Sequence, residues 1–215
     1  MSGTIFLSAS FPNGNRPGES GVFFPADIAA AASAVVEGTL RSGGRLVFGG
    51  HPTITPLVLN IASMLQAGDR ILCYQSLHFE GQFTDEMIRL IGEEGAVAKL
   101  TPDEGELKLS LMVLREDMLA NQFQGAFFVG GMSGIRDELA ILQRIQPATP
   151  MFAFQAPGGA AGSLVGHSPG GPVGLDQAGG APWREEGRLR DVRPLMGRAY
   201  SSLVLQALEE VGLTP

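Results

Sequence analysis

Short apolar runs, each followed by a small-residue turn and then by helical periodicity, recur along this chain, and that alternation leaves few folds open to it. Thr4 to Ser8, Arg45 to Phe48, Arg70 to Gln75, Ala96 to Leu100, Ala126 to Val129 and Thr149 to Gln155 each read as a strand. They are short and rich in branched and aromatic residues. Helical spacing follows in the segments carrying Ile28, Val35 and Leu40; Leu57, Val58 and Ile61; Met87, Ile88 and Ile91; Leu111, Leu114 and Met118; and Leu139, Leu142 and Ile145. Thr55 is the expected N-cap of the second helix, with Pro56 at its first position and Gly68 past its end. The pattern predicts an α/β, Rossmann-like fold: an open, mostly parallel sheet with helices on both faces.

Ligands of such sheets sit outside the carboxyl ends of the strands. The segment Gly130 to Glu138, GGMSGIRDE, falls at one such end, directly before a helix. Bare backbone N–H groups at Gly130, Gly131, Met132, Ser133 and Gly134, with the helix dipole behind them, suit a phosphate. A tight structural turn accounts for the glycines about as well. Further candidates at strand ends are Ser8 and Ser10, with Arg16 in the loop beyond, and Gly49, Gly50, His51 and Thr53. Hydroxyl or glycine turns on one rim fit a nucleotide. Gly158 or Gly159 is expected at that rim as well.

With 215 residues and 44% hydrophobic content, one domain over 1–215 is expected. Within it, 156–185 reads as a mobile Gly/Pro-rich loop and 192–213 as a C-terminal helix. A net charge of −7 argues against nucleic acid as partner. One cysteine, Cys73, inside an apolar run, and three histidines give no metal pattern, so no metal or cofactor is expected. Without a signal-like start or a membrane-length apolar run, a cytoplasmic protein is expected.

Met112-Val113-Leu114-Arg115, followed after one strand by Gly130-Gly131-Met132-Ser133-Gly134-Ile135-Arg136-Asp137-Glu138, resembles the paired motifs of the LOG phosphoribohydrolases. Those carry M-x-x-R-K and P-G-G-x-G-T-x-x-E. The opening LSAS and the turn LVFGGHPTITPLV look most like the wider SLOG superfamily, many of whose members are thought to sense nucleotide-derived signals, ADP-ribose derivatives among them, in bacterial conflict and anti-phage systems. The resemblance implies Arg115 and Glu138 as catalytic residues if the protein is an enzyme. It also implies a small phosphorylated nucleoside ligand, a homodimer or larger assembly, and a possible separate effector. Val129 stands in place of the family proline, Ile135 in place of the threonine and Glu116 in place of the lysine, and one extra residue separates Gly131 from Gly134. These departures weight sensing over hydrolysis of a nucleoside monophosphate to base and ribose 5-phosphate. Both readings stand at this point.

Overall fold

The computed structural model describes residues 3–12, 21–85, 88, 96–164, 173–174 and 199–214. The predicted alternation is present among the described residues. Strands β1 (Thr4–Ser10), β2 (Arg45–Gly49), β3 (Ile71–Ser76), β4 (Val97–Thr101), β5 (Gly125–Gly130), β6 (Met151–Ala153) and β7 (Val173–Gly174) form one sheet in the order β4-β3-β2-β1-β5-β6-β7. Every pairing in it is parallel. The chain steps outward from β1 to β4, then returns across the sheet to pair β5 with the other side of β1. A topological switch point therefore lies between β1 and β5, where Ser10 is in register with Gly130.

Side chains alternate along each strand and feed two cores. Ile5, Leu7, Phe127 and Phe152 point to one face, where they pack with Ile28 and Val35 of α1 (Pro25–Arg41) and Val58 of α2 (Thr55–Met64). Val204 of the C-terminal helix (Tyr200–Glu210) joins them. Phe6, Tyr74 and Phe128 point to the other face. There they meet Leu114 and Met118 of α3 (Leu107–Leu119) and Ile135 and Leu142 of α4 (Ser133–Ile145). Burial on both faces explains why these strands read as unbroken apolar runs. Cys73 is fully buried, and burial pushes its thiol up to about 12, so it behaves as a small apolar group and not as a nucleophile.

Several boundaries differ from the sequence reading. Thr55 is the first residue of α2 and not its cap; its hydroxyl donates to the His51 carbonyl at 2.9 Å. The helix ends at Met64, before a left-handed Gln66 (φ 52°), so Gly68 opens a 3-10 turn instead of closing α2. The 156–185 segment contains structure: a short helix, α5 (Gly159–Gly162), and the two residues of β7. Its remaining expected mobility, at 165–172 and 175–185, lies outside the described residues, as do Arg16, Met87, Ile91 and residues 192–198. Among the described residues no helix is long and apolar enough to cross a membrane.

Candidate functional site

At the switch point the carboxyl ends of β1, β2 and β3, the turn before α4 and a 3-10 segment (Leu77–Gln82) enclose a cleft of about 420 Å³. That volume is in the range of small-molecule sites. Ser8, Ser10, Gly49, Gly50, His51, Met132, Ser133, Gly134, Arg115 and Glu138 all line it. Residues up to 130 positions apart thus meet in one place, as the strand-end rule predicts.

Its centre is Glu138, on the second turn of α4. The Ser8 hydroxyl donates to its Oε2 at 2.5 Å, and Arg115 Nε lies 3.9 Å from its Oε1. Burial raises the Glu138 carboxyl above its usual range, although the Ser8 hydrogen bond and the Arg115 charge both pull it down. Arg115 comes from the middle of α3, and its Nη1 pairs with Asp137 at 3.0 Å. Asp137 is exposed, so that pair adds little stability and mainly orients the guanidinium. Gly134 makes the approach possible: a Cβ there would stand 2.9 Å from Arg115 Nη2.

The raised carboxyl has a pH consequence. A group whose folded pKa lies above its unfolded value of about 4.3 disfavours the folded state once ionised, so this contribution turns unfavourable as pH rises from about 4 through the folded pKa. Glu138→Gln removes it. The Tm of Glu138→Gln relative to the unchanged chain should therefore improve from pH 4 to pH 7; a difference that does not vary with pH would show that Glu138 ionises freely.

His51 is also held by its neighbours. Phe11 N–H donates to Thr53 Oγ1 at 3.3 Å, and the same hydroxyl lies 2.8 Å from His51 Nδ1. Thr53 N–H reaches the same nitrogen at 3.3 Å. Nδ1 is then an acceptor, and the proton sits on Nε2. Burial lowers the imidazole pKa and keeps it neutral. Thr53 itself does not line the cleft; it positions His51.

The glycine turns differ from the open phosphate cradle read from sequence. Gly131 N–H donates to the Ser10 carbonyl at 2.7 Å, Gly50 N–H to Tyr74 at 2.7 Å and His51 N–H to Gly49 at 2.6 Å. The first two of these amides are spent on joining strands and the third on closing the turn after β2. Gly130 (φ 63°) and Gly131 (φ 69°) lie beneath the cleft, where a Cβ would strike Ile28 and Ile135 respectively. They are structural glycines, and α4 begins with no side-chain cap. Gly158 and Gly159 are not at the rim either: Gly159 is packed on the Gly130 backbone, and Gly158 pairs with Phe23. Arg136 turns away to the Ser163 hydroxyl at 3.1 Å.

Sequence reasoning missed Gln75, Phe79 and Phe83. Gln75 lines the cleft from the end of β3, donating to the Gly50 carbonyl at 2.7 Å and accepting from Ser76 N–H at 2.9 Å. Its position as the last polar residue of a predicted strand was a usable signal. Phe79 and Phe83 also line the cleft, from a connection with no periodicity, and nothing local marks them.

A doubly wound parallel sheet with a ligand-sized cleft at its switch point is a Rossmann-like α/β protein. Residues 24–171 match the family model described as the SLOG cluster3 family. The chain belongs to that family. No curated protein sequence matches it.

Proposed function

We propose that this domain binds a small nucleotide-derived molecule, of the ADP-ribose or NAD-derived type, and acts as its sensor. The observation that carries the reading is the convergence of Arg115, Glu138 and Ser8 in the switch-point cleft. Glu138 and Ser8 suit ribose hydroxyls, Arg115 suits a phosphate, and His51 Nε2–H supplies a neutral donor. In this reading the ligand-bound domain works in the cytoplasm and reports to a second copy of itself or to a separate effector chain. Sensing is favoured over turnover because the motif around these residues departs from the hydrolase pattern at Glu116, Val129 and Ile135.

The Arg115 guanidinium, 3.9 Å from Glu138 and favouring its ionised form, supports a second reading, a phosphoribohydrolase in which the Glu138 carboxylate holds the ribose hydroxyls or stabilises the cation-like transition state at the anomeric carbon. One experiment separates the two. Purified protein is mixed with nucleoside monophosphates and with linear and cyclic ADP-ribose compounds, and each compound is quantified as free, bound or cleaved. Retention of an intact compound supports the sensor. Release of a base with ribose 5-phosphate, reduced by about a hundredfold or more in Glu138→Gln, establishes the hydrolase instead. A panel in which nothing is bound or cleaved rules out both.

A further inference from the structure

Phe79 is an aromatic side chain that the fold positions without packing it into a core. It sits on the 3-10 segment, half-buried, and lines the cleft, yet it belongs to neither hydrophobic cluster. Its neighbours in the cleft are committed elsewhere: Phe83 packs on the first core and Leu111 on the second.

What holds Phe79 is a chain of polar contacts running away from the cleft. Ser76 Oγ accepts from His78 N–H at 3.2 Å, and His78 Nδ1 meets Asp103 Oδ1 at 2.8 Å. Gly105 N–H and the Ser110 hydroxyl both donate to the same Asp103 oxygen, at 2.9 and 3.2 Å. The His78 ring then stands edge-on to Phe79, at 87° and 5.4 Å between centroids. The ring is anchored from behind. Pro52 and Leu111 line the same cleft as this ring, and Glu138, Arg115 and Ser8 are among its polar groups. An anchored, half-exposed ring in a cleft suits a planar heterocycle, because every base has a π-face that stacks on an aromatic ring.

We propose that Phe79 is the stacking platform for the base of the ligand, with the sugar hydroxyls at Ser8 and Glu138 and His78–Asp103 as the positioning pair. The proposal rests on the ligand class given above and fixes the orientation of that ligand in the cleft.

Calorimetric titration of the unchanged protein and of Phe79→Leu with AMP, ADP-ribose and ribose 5-phosphate tests it. Leucine keeps the apolar volume and removes the ring. Because Phe79 lies outside both cores, the variant should fold, which a thermal melt verifies. Phe79→Leu is expected to weaken AMP and ADP-ribose about tenfold and to leave ribose 5-phosphate, which has no base, within about twofold. Quenching of base absorbance near 260 nm on binding to the unchanged protein is a second readout, independent of the variant. Equal losses for all three compounds, or none for AMP and ADP-ribose, overturn the stacking role while leaving the ligand class standing. An unchanged protein that binds none of the three overturns the ligand class and the stacking role together.

Discussion

A Gly159→Ala variant should lose about 3–5 kcal/mol of stability, read as a lower urea midpoint at unchanged slope. Two costs combine. Gly159 sits at φ 70°, which an L side chain adopts only with strain, and its new Cβ would lie 2.6 Å from the Gly130 carbonyl carbon and 2.7 Å from its oxygen. The obstacle is backbone at the end of a central strand, so no rotamer change relieves it. Gly43 is the control: it has a similar φ of 72° but nothing within 4 Å of the added Cβ. Gly43→Ala should therefore cost only about 1–2 kcal/mol, the conformational part. Equal losses at the two positions would mean that the Gly130 turn has room to move. The comparison also bears on function, since Gly130 and Gly131 carry the Ser10 contact that closes the switch point.

Arg115→Ala should weaken the compound retained in the binding panel at least about thirtyfold, measured by calorimetry, and should lower Tm more at pH 7 than at pH 4. The exposed Asp137 pair contributes little to folding, but buried Glu138 loses the positive charge that offsets its burial once it ionises. Gly134→Ala acts on the same contact from the other side. Its Cβ would meet only Arg115 Nη2, the far end of a flexible side chain, so the chain folds and the helix gains up to about 1 kcal/mol of propensity while the guanidinium is displaced. Its affinity should fall between those of the unchanged protein and Arg115→Ala. An Arg115→Ala protein that binds the ligand normally removes Arg115 from the site.

The architecture was largely legible from local pattern. Runs such as Ala126 to Val129 are apolar on both faces because helices cover both faces, and that is a property of a few consecutive residues. The candidate residues at strand ends were legible for the same reason: in a parallel sheet every strand's carboxyl end lies on one rim, so knowing the strands places Ser8, Gly49, His51 and Glu138 together. Arg115 came from its motif, since periodicity treats an arginine on a helix as solvated.

What a glycine does is another matter. Gly130 and Gly131 read as a phosphate cradle, but whether an N–H is bare depends on what the neighbouring strand offers it, and Ser10 claims the one at Gly131. Gly134 read as part of the same cradle, and in the fold it is the opening through which Arg115 reaches the cleft. Phe79 has no periodicity to announce it, and its anchoring depends on Asp103 from a different loop. The sequence by itself determined which segments are strands and helices, and through them the rim on which a ligand site lies. Only the tertiary structure decided which groups on that rim remain available to a ligand, because hydrogen bonds and close packing between segments far apart in the chain consume the rest.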